Sequence, residues 1–159
     1  MKLDRTDRRI LEVLQRDGNI SNQELADQVG LSPSPCSRRV KQLQEAGIIT
    51  RTVTLLDPAR LDLKMTAYIQ ISMDKHTPDR FENFESHVSS YPEVVECSLI
   101  TGHTADYLVK VVVPDMDAFQ EFLLGRLTRI EGVSGVHSSF VMKKVVERTE
   151  LPLDHLRQS

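Results

Sequence analysis

The sequence is poor in the residues and patterns that mark secreted, membrane-spanning and metal-binding proteins. Two cysteines in 159 residues are too few for a disulfide framework, so we expect a reducing compartment, the cytoplasm. No apolar stretch is long enough to cross a bilayer, and the first ten residues contain no apolar core of a secretion signal. The sequence has no HExxH or CxxC pattern, so no metal site is predicted, and no P-loop or GxGxxG motif indicates a nucleotide cofactor.

The residues that are present describe an ordered globular chain with an uneven charge. Hydrophobic residues make up 40% and charged residues 27%, and the length suits one medium domain or two small ones. Residues 1–51 carry nine Lys and Arg against seven Asp and Glu, whereas residues 52–159 carry eleven against sixteen. A polyanionic partner is therefore expected to meet the first part of the chain.

Three short helices are predicted in the first fifty residues. Asp4 suits the N-cap of the first, and Ser21 with Glu24 forms a capping box at the start of the second. Ser32 suits the N-cap of the third, with Pro33 at its first position, where the missing N–H would have no partner in any helix. The Gly-containing turn "VGLS" joins the second and third helices at helix-turn-helix spacing.

The third helix is predicted to present one polar stripe opposite an apolar one. Ser34, Ser37, Arg38 and Lys41 recur at helical spacing, so that short hydroxyls permit close approach to a duplex and basic groups reach base edges or phosphates. A solvated face on an ordinary three-helix unit is the alternative. The coincidence of cap, turn and proline favours DNA binding. The predicted DNA-binding residues are Ser32, Ser34, Ser37, Arg38, Arg39, Lys41 and Arg51.

The last hundred residues predict the element order β-α-β-β-α-β. "KMTAYIQISM" (64–73) alternates apolar and polar residues, and the later strands and amphipathic helices complete a ferredoxin-like arrangement with both helices on one face of the sheet. The other face, expected to carry residues such as Tyr68, Val109 and Phe140, calls for a partner chain, most simply in a two-fold dimer. Cys36 and Cys97 are expected to be core residues.

The predicted fold class is α+β, with a winged helix-turn-helix at 1–56, a linker at 57–63, a ferredoxin-like domain at 64–150 and a tail at 151–159. "IITRTVTLLDP" (48–58) suits either a two-stranded wing or an extended connector. The tail is expected to be loose or to be ordered by a neighbouring subunit.

Three stretches resemble the Lrp/AsnC (feast/famine) family of bacterial and archaeal transcription regulators. They are residues 3–49 from "LDRTDRRIL" to "EAGII", the later "DP", and "LITGHTADYLVKVVVPDMDAFQEFLLGRL" followed by "GVSGVHSSFVMKKV". The resemblance implies a winged helix-turn-helix joined to a ferredoxin-like domain that binds effectors and forms oligomers. It further implies homodimers that assemble, often into octamers, and amino acids or related small molecules as effectors.

The resemblance also places an effector loop at "TGHTADY", which has one residue more between its glycine and aspartate than the family pattern. The ligand contacts among His103, Thr104 and Ala105 therefore stay open. From the residues alone, Gly102 permits a turn and Asp106 accepts hydrogen bonds from an ammonium group, while a capped hairpin loop is the alternative. The predicted effector-binding residues are Thr101, Gly102, His103, Thr104, Asp106, Ser138 and Ser139.

The predicted function is a sequence-specific DNA-binding transcriptional regulator whose oligomeric state or DNA binding responds to an amino acid. Its expected partners are double-stranded DNA, the amino acid and copies of itself, with no membrane, metal or cofactor. An architectural, DNA-compacting protein is one alternative. A small ferredoxin-like enzyme using His103 and Asp106 is another, but it lacks a convergent nucleophile, base and oxyanion donor, so no enzyme is predicted.

Overall fold

The computed structural model describes residues 1–102 and 104–158. These form two compact units, one from Met1 to Leu55 joined by the C-terminal residues from Val146, and the other from Leu56 to Val145. The domain boundaries expected from the sequence, at residues 56, 63 and 150, stay predictions. No helix in the described ranges combines the length and hydropathy needed to cross a lipid bilayer.

The first unit contains three helices, α1, α2 and α3, which span Arg5–Arg16, Asn22–Val29 and Pro33–Glu45. Reciprocal capping boxes begin α1 at Asp4 and α2 at Ser21. In each box the cap side chain accepts the backbone N–H of the residue three positions on, and the acidic side chain of that residue accepts the backbone N–H of the cap. Gly30 ends α2 with φ of 74°, a left-handed conformation that favours glycine. All three predicted helices are confirmed, and their apolar faces meet in one core that contains Ile10, Leu11, Leu25, Ala26, Val29, Cys36 and Leu43.

The segment after α3 contains no strand in this structure. Residues 50–57 contain neither helix nor strand, so the structure has the connector of the two predicted alternatives. A short 3-10 helix, Pro58–Leu61, follows, and its start is capped by the Asp57 side chain, which accepts the Ala59 N–H at 3.0 Å.

The C-terminal tail packs against the first unit of its own chain. Leu153 contacts the core of the three helices. The Gln15 side chain donates from Nε2 to the Leu151 carbonyl at 3.2 Å and accepts the Leu151 N–H at 2.6 Å. The sequence predicted a tail that is loose or is ordered by a neighbouring subunit. In the structure the tail is instead attached within its own chain, through Leu153 on the three-helix core and through the bonds of Leu151 with Gln15.

The second unit has the predicted β-α-β-β-α-β order. Its elements are β1 (Met65–Met73), α4 (Pro78–Ser89), β2 (Val94–Leu99), β3 (Tyr107–Val113), α5 (Met116–Gly125) and β4 (Val133–Phe140). The strands lie in the order β2-β3-β1-β4, all neighbours being antiparallel, which confirms the ferredoxin-like fold. Alternation along β1 and β3 puts every second side chain against the two helices, in the core with Phe84, Val88, Phe119 and Phe122.

Two residues expected on the open face of the sheet lie on its helix-covered face. Val109 is fully buried opposite Ile69, and Phe140 packs edge-to-face on Phe119 of α5, with ring centroids 4.9 Å apart. The prediction was wrong for both because the alternation defines which residues share a face but not which face the helices cover. Tyr68 does lie on the open face and is 38% exposed.

The two cysteines differ in burial. Cys36 is fully buried in the three-helix core, as expected. Cys97 is exposed, so its expected place in the core was wrong. It lies on the edge strand β2, in a groove of about 480 Å³ that is also lined by Glu85 of α4 and Tyr107 of β3.

Candidate functional site

The start of α3 is built from two prolines and a bond to the preceding helix. Pro33 and Pro35 both lie in the first turn, where backbone N–H groups have no acceptor within the helix, so their missing donors cost little. Asn22, the first residue of α2, donates from Nδ2 to the Pro33 carbonyl at 2.8 Å and so joins the starts of the two helices. Ser32 occupies the N-cap with extended backbone, but its hydroxyl makes no capping bond. The first turn of α3 is therefore fixed without using the hydroxyl of Ser32.

A polar stripe runs along the exposed side of α3. Ser34, Ser37, Arg38 and Lys41 are all exposed, while Cys36 and Leu43 on the opposite side are fully buried. Lys41 makes one ion pair, to Glu45 at 3.7 Å, between two exposed side chains. Because such pairs are weak in water, a phosphate group competes with Glu45 for the ammonium group. The stripe thus offers two hydroxyls and two cationic groups on one helix face.

Arg39 does not join this stripe. Its Nη1 lies 2.7 Å from Oδ2 of Asp4 and 2.7 Å from Oδ1 of Asp7, the two residues of the α1 capping box. The Asp7 side chain is only 4% exposed, and that of Arg39 is 29% exposed. The structure therefore uses Arg39 to join α3 to α1, an arrangement that sequence reasoning missed because its partners are 32 and 35 positions away.

The electrostatics of this junction favour the ionised forms. The pKa of Asp4 is lowered, first by the hydrogen bond from the Asp7 backbone N–H and then by the Arg39 side chain. The pKa of Arg39 is raised, chiefly by its hydrogen bonds to Asp7 and Asp4. Arg39 is held by two carboxylates and is therefore poorly suited to meet a third anion.

Arg51, the remaining residue predicted to bind DNA, is exposed in the connector after α3. It lines a cavity of about 620 Å³ in the first unit, together with Leu14 of α1, Val40 of α3 and Leu151 and Leu153 of the tail. The cavity wall is mainly apolar. Arg51 therefore lies beside the three-helix core and outside α3.

The predicted effector loop connects β2 to β3 and is fixed at its Asp106 end. The Asp106 N–H donates to the Ile71 carbonyl and the Asp106 carbonyl accepts the Ile100 N–H, both at 2.8 Å. Thr101, Gly102 and Thr104 are exposed, and His103 lies outside the described residues. Gly102 has no positive φ, and a side chain at this position would meet open space. The turn therefore does not need a glycine, although the sequence suggested that Gly102 permits it.

Both carboxylate oxygens of Asp106 have partners. Oδ2 accepts the Met73 N–H at 2.7 Å, and Oδ1 lies 2.8 Å from Nε2 of His76. Next to them, the Ser72 hydroxyl donates to the Thr104 carbonyl at 3.2 Å, and the Ser134 hydroxyl donates to the Ser72 carbonyl at 3.1 Å. His76, Ser72 and Ser134 were missed from the sequence, although the order of strands puts the end of β1 beside the start of β3 and so brings His76 towards Asp106.

Ser138 and Ser139 do not join this cluster within one chain. The register of β4 puts Ser138 opposite Ile69 and Ser139 opposite Tyr68, three and four residues along β1 from Ser72. Because successive residues of a strand point to opposite faces, Ser139 shares the open face with Tyr68, while Ser138 lies on the face of the helices. The two serines are therefore separated both from the loop and from each other.

Comparisons with known proteins agree with the division of the chain into a three-helix unit and a unit built on a sheet. A family model described as the Lrp/AsnC ligand binding domain matches residues 66–151, and one described as winged helix-turn-helix DNA-binding matches residues 3–50. The leucine-responsive regulatory proteins of Klebsiella pneumoniae and Escherichia coli (strain K12) are 43% and 42% identical over 149 residues, which are 94% of this chain and 90% of each relative. The chain belongs to the Lrp/AsnC family.

Solved structures of Lrp/AsnC regulators have the same fold over almost the full length. A transcriptional regulator of Neisseria meningitidis, solved as an L-Met complex, has a TM-score of 0.93 and 45% identity, covering 97% of this chain and 99% of that one. An AsnC family regulator from Agrobacterium tumefaciens has a TM-score of 0.91 and 41% identity, covering 96% and 99%. This Lrp/AsnC protein is thus a transcriptional regulator with a helix-turn-helix DNA-binding domain and a ligand-binding domain of the class that binds amino acids.

Within the described ranges of this Lrp/AsnC chain, no group of three or more His, Cys, Asp or Glu side chains is arranged to hold a metal ion. The family is one of transcriptional regulators, which agrees with the expectation that the protein is not an enzyme.

Proposed function

We propose that this regulator binds specific DNA sequences through the exposed stripe of α3, residues Ser34, Ser37, Arg38 and Lys41. The observation that carries this proposal is the exposure of all four side chains on one helix face, with both cations available to a phosphate or a base. Arg39, predicted from the sequence to bind DNA, is assigned to holding α3 against α1 instead. Ser32 and Arg51 contact the DNA backbone beside this helix.

The roles of the stripe residues follow from their chemistry and their place on the helix. Ser34 and Ser37 lie in the first half of α3, where short hydroxyls allow the backbone to approach the groove closely and donate to phosphates or bases. Arg38 offers a planar fork that fits the O6 and N7 acceptors of guanine. Lys41, one turn further along, is a point charge suited to a phosphate.

A selection from random DNA followed by a gel shift tests sequence specificity. The protein is expected to enrich a two-fold symmetric site and to bind it at least about a thousandfold more tightly than random DNA at physiological salt. Equal affinity for both DNAs at that salt concentration supports the architectural, DNA-compacting alternative.

We further propose that an amino acid binds beside Asp106 in the loop that contains Thr101, Gly102 and Thr104. The support is the cluster of fixed polar groups at this end of the sheet and the family to which the domain belongs. L-Met is the first candidate, because the similar Neisseria regulator was solved with it. Ser138 and Ser139 contribute where a second copy of the chain brings its last strand to this loop, and His103 is retained as a contact from the sequence pattern.

A thermal-shift screen of the full chain against the twenty standard amino acids tests this part. Binding to the folded state raises the apparent unfolding temperature, and the effect grows with concentration above Kd. L-Met is expected to give one of the largest shifts. Asp106→Ala is expected to abolish the shift and the response of the oligomer, and an unaltered response in that variant contradicts the proposed site.

The regulator is also proposed to form homodimers through the helix-free face of its sheet and to assemble further into octamers. Tyr68, exposed on that face, supports the first step. The effector then alters how dimers associate and so how their α3 helices are spaced along DNA. Analytical ultracentrifugation with and without the amino acid tests this: a monomer at all concentrations contradicts dimerisation, and a distribution unchanged by effector contradicts the coupling.

We place the regulator in the cytoplasm, where bacterial and archaeal DNA lies, and assign it no catalytic activity. The enzyme alternative needed Asp106 as an acid or base. Its carboxylate oxygens instead accept the Met73 N–H and contact His76, and the nearby Ser72 hydroxyl is bonded to the Thr104 carbonyl. Fractionation of cells, followed by immunodetection of the protein with the nucleoid, tests the location.

A further inference from the structure

His76 lies in the four-residue loop between β1 and α4, and its imidazole contacts Asp106, the residue directly before β3. Its Nε2 is 2.8 Å from Oδ1 of Asp106, whose other oxygen accepts the Met73 N–H at 2.7 Å. The Asp106 backbone is tied to Ile71 and Ile100, so the carboxylate is fixed from both its side chain and its main chain. The His76 ring also lies beside the Phe81 ring, with centroids 6.0 Å apart. The imidazole therefore contacts a fixed acceptor and has an aromatic neighbour.

This contact decides which nitrogen of His76 carries the proton. An ionised carboxylate only accepts hydrogen bonds, so the nitrogen that faces Asp106 is the donor. In the neutral imidazole, Nδ1 is then unprotonated and is an acceptor. The His76 side chain is 68% exposed, and its Nδ1 makes no hydrogen bond to residues 1–102 or 104–158. In its neutral form, His76 thus presents an acceptor nitrogen beside the effector loop.

We propose that Nδ1 of His76 accepts a hydrogen bond from the α-ammonium group of the effector, and that Asp106 positions the imidazole for this contact. The proposal rests on the function proposed above, an amino acid bound beside Asp106. It differs from the role inferred for Asp106 from the sequence, that of meeting the ammonium group directly.

Burial and existing bonds favour His76 over its neighbours as the direct contact. The Asp106 side chain is 21% exposed and its two oxygens already have partners, whereas His76 is three times as exposed. The hydroxyls of Ser72 and Ser134 are engaged with backbone carbonyls. An ammonium group that approaches from solvent therefore reaches Nδ1 of His76 before the carboxylate behind it, and the negative charge of Asp106 strengthens imidazole as an acceptor.

Two substitutions separate direct contact from a merely structural role. His76→Asn keeps an amide oxygen near the position of Nδ1 but is too short to reach Asp106. His76→Gln reaches Asp106 with its amide NH₂ but leaves no acceptor at the position of Nδ1. His87→Ala, which removes an imidazole bonded to the Asn83 carbonyl on α4, is the matched control.

The affinity of each variant is measured by calorimetry on the full chain, with L-Met and with whichever standard amino acid shifts the wild-type unfolding temperature most. His76→Gln is expected to weaken binding about 10-fold or more, the loss typical of one hydrogen bond to a charged group. His76→Asn is expected to weaken it less, and His87→Ala to leave it unchanged. N-acetyl-L-methionine, which lacks the ammonium group, is expected to bind wild type and His76→Gln equally weakly.

Each of the other outcomes of these affinity measurements contradicts a defined part of the proposal. If His76→Gln binds like wild type while His76→Asn does not, His76 acts only by holding Asp106, and the proposed contact is wrong. If both variants bind like wild type, His76 has no part in the site, although the proposed function stands. If none of the twenty amino acids binds wild type, the proposed effector fails and the inference with it.

The protonation state gives a readout that does not depend on affinity. Long-range ¹H–¹⁵N spectra of the full-length protein at neutral pH are expected to show His76 with its proton on Nε2, and the Nδ1 resonance is expected to shift when the amino acid is added. A proton on Nδ1 in the free protein contradicts the proposal, and so does an Nδ1 chemical shift that is unchanged when the amino acid binds.

Discussion

Nη1 of Arg39 on α3 lies 2.7 Å from Oδ1 of Asp7, a nearly inaccessible carboxylate in the first turn of α1. The same nitrogen lies 2.7 Å from Asp4, so one guanidinium group joins the capping box of the first helix to the helix assigned to DNA. Arg38 precedes it in the chain and Lys41 follows two positions later, and both are exposed. The ion pair therefore joins α3 to α1 and leaves Arg38 and Lys41 exposed.

Arg39→Ala is expected to lower the free energy of unfolding of the first unit by about 3 kcal/mol, because it leaves the buried Asp7 carboxylate without its cation. Arg39→Lys is expected to recover part of this loss, since a single nitrogen makes both contacts in the wild type. Urea unfolding followed by circular dichroism measures the effect. A variant that unfolds like wild type but binds DNA with a reduced salt dependence contradicts the assignment and returns Arg39 to the DNA surface.

Replacing Arg38 or Lys41 with alanine is expected to weaken DNA binding without loss of stability. Removal of a side chain that contacts a phosphate reduces the slope of log K against log salt by about 1, whereas removal of a base contact reduces specificity at one position of the site. Gel shifts at several salt concentrations distinguish the two residues. Arg60→Ala is the control, because Arg60 is 88% exposed in the second unit and carries the same charge. A slope unchanged in both stripe variants contradicts the proposed surface.

The tail contains a matched pair of leucines for testing its attachment to the first unit. Leu153 contacts the three-helix core, whereas Leu151 is 71% exposed and is bound through its backbone. Leu153→Ala is expected to cost about 1 to 2 kcal/mol of unfolding free energy, in proportion to its partial burial, and Leu151→Ala less than about 0.5 kcal/mol. Equal costs measured by urea unfolding indicate that the tail is not packed on the core.

The charge of Asp4 is expected to make stability depend on pH at acidic values. Its pKa is lowered from 3.8 in the folded protein, so its ionised form stabilises folding above that value and the contribution is lost as pH falls through the lower folded pKa. Asp4→Asn keeps the capping acceptor but removes the charge, and at pH 7 it is expected to cost less than about 1 kcal/mol, since the side chain is half exposed.

The same comparison between wild type and Asp4→Asn is then made across the acidic range. The difference in unfolding free energy is expected to stay constant from pH 7 to about pH 5 and to narrow below 3.8. A difference that is independent of pH down to pH 2 indicates that the amide disturbs the cap itself and that the charge has no role.

Local features of this protein could be predicted because they depend on residues a few positions apart. The Ser21–Glu24 capping box joins neighbours three residues apart, and Pro33 marks the start of α3 through its own geometry. Alternation along β1 needs only the pleat of one strand. These short-range rules were sufficient for the element order, and the element order was sufficient for both domain folds.

Long-range partners could not be predicted in the same way. Arg39 looked like one more cation on α3 because nothing near it in the chain shows that Asp7 is buried beside it. Val109 and Phe140 were assigned to the wrong face, since the pattern within a strand is the same whichever face the helices cover.

By itself the sequence determined the order of the helices and of the four sheet strands, and which face of α3 is polar, because caps, prolines and periodicity act within one or two turns. Only the tertiary structure decided which polar groups are already paired. It paired Arg39 with Asp7, attached Leu151 to Gln15 across 136 positions, and brought His76 to Asp106. Those pairings depend on packing between distant segments, and packing is a property of the folded chain.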